Sequence, residues 1–231
     1  MCSPGCFDYW SRLLALADAR PDDTRLSRRG FLAASAAPFV GAACASAPTP
    51  SRQTRDLLDA TISFDLHSHP GLFKSLSNDT LAGHRQEAES GRVKLIALTA
   101  TSDAPVIARD RNGALRPGRE PKPGELYASM YRQIAALVAW SGAAGMPVVS
   151  SVTDAGAPGP PVRGILAVEG CDFLEGRIDR AQEAFDRGIR SLQLVRYRVN
   201  ELGDIQTEPA VHGGLTAFGK QAVREMNRWA S

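Results

Sequence analysis

From about residue 61 to residue 229, short apolar runs alternate with segments of helical periodicity, and this alternation restricts the fold more than any other feature of the chain. Residues 61–66, 93–98, 165–168 and 189–194 read as strands, and residues 148–152 are a fifth short apolar run. Residues 79–90, 125–144 and 177–187 read as helices, and Thr216 is placed to cap a last one. The clearest helix is 125–144. There Leu126, Met130, Ile134, Leu137, Val138 and Ser141 recur at three- and four-residue spacing, and Gly145-Met146-Pro147 ends the run. Its Tyr127 and Met130 are expected in the core. Strands separated by helices imply a parallel sheet with right-handed crossovers.

Chemistry gathers at the strand ends. The first strand runs into Phe64-Asp65-Leu66-His67-Ser68-His69-Pro70, and two of the chain's four histidines stand there. Side chains two apart on an extended chain share a face, so both imidazoles can aim at one point, as a divalent metal requires. An H-x-H pair alone is a weak signal. Its position at the C-terminal end of a strand strengthens it, because (β/α) barrels carry their active sites on that face. Glu169 stands at the corresponding end of the third strong strand, after four apolar residues. A buried glutamate is costly unless it is paired or ligates a metal. The other reading of Glu169 is a cap on the turn that Gly170 begins.

The chain has 231 residues, a formal net charge of +2 and 43% hydrophobic residues, enough for one domain with a real core. The near-neutral charge and the lack of a basic stripe argue against nucleic acid as a partner. Cys2, Cys6, Cys44 and Cys171 show neither zinc-finger spacing nor a disulfide framework. Residues 1–47 are expected to be a targeting segment. Arg28-Arg29 precedes Phe31-Leu32 and an uncharged Ala-rich stretch, and Ala45-Ser46-Ala47 offers a small-x-small cleavage site. This plan resembles a twin-arginine signal, which implies export to the periplasm or cell envelope. Membrane association would follow only from lipidation at Cys44, and Gly41-Ala42-Ala43 is a poor lipobox. Residues 48–60 read as a polar linker and residues 61–231 as the folded part.

Four blocks then resemble the membrane dipeptidase family, renal dipeptidase-like zinc peptidases of the amidohydrolase superfamily. They are the segment 64–71, the segment 167–176, the segment 188–203, and Gly213-Gly214-Leu215-Thr216-Ala217-Phe218-Gly219 running into Glu225-Met226-Asn227-Arg228. The resemblance implies a (β/α)8 TIM-barrel metallohydrolase with two zinc ions that cleaves dipeptides. It assigns His67 and His69 to the first zinc, with histidine where the family often has aspartate, and makes Glu169 the bridging carboxylate. It aligns Arg196 with a family histidine that contacts substrate, so Arg196 is a candidate substrate-binding residue.

The family's remaining zinc ligands, basic clamp and catalytic aspartate lie beyond the helix at which this sequence stops. A full barrel needs about 250 residues and eight strands. Four to five strands are legible here. The expectation is therefore the first half of a barrel, with at most one zinc, no catalytic residue assigned beyond the metal ligands, and either a missing C-terminal half or a homo-oligomer as partner. His84 and His212 match no ligand block. The alternatives are an inactive remnant or binding module, and another amidohydrolase acting on a different amide or ester.

Overall fold

The structure, a computed structural model, describes residues 50–70, 78–159 and 161–229, with the backbone alone for 78–82. The twin-arginine segment and Cys44 lie outside these residues. The chain divides into two units, 1–52 and 53–231, and the fold below is that of the second.

The expected polar linker is in part a helix, α1 (Arg52–Ala60), none of whose residues is buried. Strand β1 (Phe64–Ser68) follows, then α2 (Asn78–Ser90) and β2 (Leu95–Thr101). The long segment after β2 contains more than a loop. A 3-10 turn (Ala104–Val106) leads into an antiparallel hairpin of β3 (Ile107–Arg109) and β4 (Leu115–Pro117). Asp110 organises its tip by accepting from the amides of Asn112 and Ala114, and Gly113 takes the positive φ the turn requires. Helix α3 (Glu125–Ala143), the short α4 (Val152–Gly156), β5 (Arg163–Glu169), a 3-10 turn (Asp172–Leu174), α5 (Asp179–Asp186), β6 (Ile189–Gln193) and α6 (Ala217–Arg228) complete the order. The proposed extra strand at 148–152 reduces to a single bridge from Val148 to Gly164, and Val152 begins α4.

The main sheet is parallel with strand order β1-β2-β5-β6. Each strand lies beside the one before it, the hairpin being a side excursion, and this order is compatible with part of a (β/α)8 barrel. Strand β2 is buried throughout. One of its faces, Ile96, Leu98 and Ala100, joins Leu166 and Val168 of β5 in the core with Met130, Ile134, Leu137 and Trp140 of α3. The apolar stripe of α3 is thus the one its spacing predicts, except that Val138 points outward at 43% exposed.

Side chains close the starts of α3 and α6 in different ways. α3 begins at Gly124, with no capping side chain of its own. The Glu175 carboxylate serves instead, accepting from the amides of Gly124 (2.8 Å) and Leu126 (3.1 Å) while Arg180 pairs with it at 2.9 Å. That contact gives Glu175-Gly176 a structural role. At α6, Thr216 caps as its sequence predicts, its hydroxyl accepting from the Gly219 amide at 2.9 Å.

Candidate metal centre

A slip in β1 sets the orientation of the histidines. Phe64 pairs with Leu95 of β2, yet Ser68 pairs with Leu98, so β1 uses four steps where β2 uses three. One extra residue changes which face each later side chain takes. His67 and His69 consequently flank Ser68 on the face of Ala97 and Thr99. Glu169 pairs with Thr101 of β2, two residues past Thr99, and shares that face. Simple alternation from Phe64 would have sent the histidines to the opposite side.

The three side chains meet. His67 Nε2 lies 2.9 Å from His69 Nε2, His69 Nε2 lies 3.2 Å from Glu169 Oε2, and His67 Nε2 lies 3.8 Å from Glu169 Oε1. Donors about 2.1 Å from one tetrahedral zinc stand roughly 3.4 Å from each other, and the three separations bracket that edge. Among the described residues this is the group of histidine, cysteine and carboxylate side chains able to hold a metal ion. His69 and Glu169 are largely enclosed, with side chains 11% and 15% exposed, while His67 is 49% exposed.

The protonation of His69 follows from its partners. Nδ1 lies 3.0 Å from the Thr99 carbonyl, which can only accept, so Nδ1 carries the hydrogen. The other ring nitrogen, Nε2, then faces His67 and the Glu169 carboxylate. A backbone acceptor on the far nitrogen is also how ligating histidines are generally oriented.

Glu169 is the best-supported member. Burial works against its charge, but the hydrogen bond from His69 and the Arg196 guanidinium outweigh it, holding the carboxylate below its ordinary range. Arg196 Nε donates to Glu169 Oε2 at 2.5 Å and Nη1 donates to Asp103 Oδ1 at 2.8 Å. Asp103 is fully buried and also accepts from the Tyr197 amide at 3.1 Å. Arg196 is therefore an internal ion-pair residue, with its guanidinium engaged on both sides and stacked over the Tyr197 ring. A second pair lies beside it, where Arg198 donates to Asp172 Oδ1 at 3.0 Å. Burial first, then the nearby negative Asp103, push Asp172 up to about 6.

His84 stays outside the centre. Its Nε2 is 3.4 Å from the Ser68 hydroxyl and its ring leans on Trp140. His212 is exposed in a loop whose amides Asp204 gathers. Sequence reading missed Thr99, which orients His69, and Asp103, which anchors Arg196. Asp103 carried a usable signal, since it stands two residues past the end of β2, on the rim that holds the other charged groups.

No family model matches the sequence, and no curated protein matches it. Among solved structures, the chain is similar to the probable dipeptidase PvdM from Pseudomonas aeruginosa, with a TM-score of 0.49 and 16% identity over 75% of this chain and 46% of that one. The chain thus spans less than half the length of that protein, and the likeness is one of backbone course that says nothing of the site's chemistry.

Proposed function

We propose that His67, His69 and Glu169 hold a zinc ion and that the chain belongs to a hydrolase acting on amide bonds of dipeptide size. One observation carries the metal reading, the convergence of His67 Nε2, His69 Nε2 and Glu169 within ligand spacing while the Nδ1 contact with the Thr99 carbonyl turns Nε2 of His69 inward. Two imidazoles and one carboxylate are the donor set of open, hydrolytic zinc sites, which keep a fourth position for water. The dipeptide substrate rests on the resemblance of the segments 64–71, 167–176, 188–203 and 213–228 to zinc dipeptidases.

Bound zinc in such a site polarises a carbonyl and acidifies a water. The chain's own residues supply the rest. Thr99 keeps the proton of His69 on Nδ1. Arg196 and Asp103 hold Glu169 charged and in place, so the carboxylate need not reorganise when a cation arrives. His67, half exposed, marks the open side from which a substrate would enter.

The test is a zinc titration of the metal-free chain followed by an assay on an unblocked dipeptide. Wild type should bind about one zinc, and His69→Ala or Glu169→Gln should weaken binding by at least roughly tenfold, by loss of one of three ligands. Absence of binding in wild type would end the reading. Zinc bound without turnover would favour a binding module over a peptidase.

A further inference from the structure

Glu169 offers its two oxygens unequally. Oε1 faces His67, whereas Oε2, besides lying 3.2 Å from His69, accepts from Arg196 Nε at 2.5 Å. A carboxylate that bridges two ions in the common two-oxygen mode gives one oxygen to each. Here the outer side of Oε2 is already met by positive charge.

The geometry points to Arg196 as a built-in cation. Its guanidinium fills, between Glu169 Oε2 and Asp103 Oδ1, the place a second metal ion would take beside one held by His67, His69 and Glu169. Three features carry this. The guanidinium touches both carboxylates through adjacent nitrogens, bridging them as an ion would. Asp103 is fully buried with Arg196 as its only charged partner among the described residues, so that guanidinium is what balances its charge. Arg196 is itself enclosed, with a side chain 11% exposed, and is backed by the Tyr197 ring, so it is held there and does not sample solvent. Arginine stays charged at any working pH and cannot leave as an ion can. The inference rests on the zinc reading for the first ion and is independent of it for the second position.

The two carboxylates left by removing Arg196 form an oxygen-only site, which suits manganese better than zinc. Manganese is therefore the probe. The full chain is first given one equivalent of zinc, then titrated with Mn(II), and bound manganese is read from the loss of the free-ion paramagnetic resonance signal. Wild type should take about one zinc and no manganese. Arg196→Ala should still take zinc, more weakly without the contact that holds Glu169, and gain about one manganese, and the Arg196→Ala/Asp103→Asn double variant should lose that manganese again.

Manganese bound by wild type beside its zinc would overturn the inference while leaving the zinc reading intact. Arg196→Ala without manganese would overturn it as well. Wild type that binds no zinc, with Arg196→Ala that does bind manganese, would remove the zinc reading and keep the inference. If Arg196→Ala does not fold alone, it is refolded with and without Mn(II). Recovery only with the ion supports the inference, and no recovery in either condition overturns it.

Discussion

Asp172 shows how one buried carboxyl group couples the molecule to pH. Its side chain is fully enclosed, Oδ1 accepts from Arg198, and Oδ2 has no partner. Its pKa rises from 3.8 to about 6 on folding. Between those values the native state binds the proton and the unfolded state does not, so stability falls as pH rises through that window and levels off above about 6. Asp172→Asn keeps an acceptor for Arg198 and removes the penalty. The variant should gain on the order of 2–3 kcal/mol over wild type at pH 7, and the gain should vanish below about pH 4. Urea unfolding at the two pH values checks this, and an equal gain at both would show that charge is not the cause. Glu169 runs the opposite way. Its lowered pKa makes its contribution present above the ordinary glutamate range and lost as the solution is acidified below it.

At the scale of elements, α6 rests on two residues of different kinds. Thr216 supplies one cap hydrogen bond, and Thr216→Ala should cost about 1 kcal/mol. Gly219 instead lets the helix approach the chain at Leu202. A Cβ at Gly219 would stand 2.0 Å from the Leu202 carbonyl oxygen, so backbone must move. Gly219→Ala should cost more than the cap, about 2–3 kcal/mol or beyond, on the scale of overpacking. Thermal melts of the two variants rank the effects, and a Gly219→Ala melt equal to wild type would refute the close approach. The four strands and main helices were legible because their periodicities differ, 2 against 3.6, and because Gly145, Gly188 and Thr216 mark ends. The hairpin of β3 and β4 leaves no periodic signal although Asn112-Gly113 marks a turn, since its two strands have three residues each. The slip in β1 could not be read at all, because only pairing with β2 reveals it. His67, His69 and Glu169 were legible as strand-end residues, while Arg196 was not legible as a buried residue because its partner Asp103 lies 93 positions away.

On the scale of the whole molecule, the described sheet has two open edges. β1 pairs on one side with β2, and β6 on one side with β5. Near the first edge Ile62, Phe64 and Leu66 are 57%, 38% and 71% exposed. Near the second, Leu192, Val223, Met226 and Trp229 line a cleft of about 460 Å³. Unpaired backbone beside exposed apolar side chains favours association. The chain should therefore self-associate with rising concentration, and Leu66→Lys should reduce this. Sedimentation velocity across a tenfold concentration range checks it, and a constant sedimentation coefficient for wild type would contradict it.

The placement of β1 at an edge also bears on time. Of the three candidate ligands, His67 rides on a strand bonded along one side, His69 follows that strand directly, and Glu169 ends β5, bonded along both. Edge strands open locally far more often than inner ones. Each opening of β1 carries His67 and His69 away from Glu169 together, so an ion seated there cannot outlast the closed lifetime of that strand. Its residence time becomes a clock for fraying, and amide exchange at residues 64–68 should slow when the ion is bound.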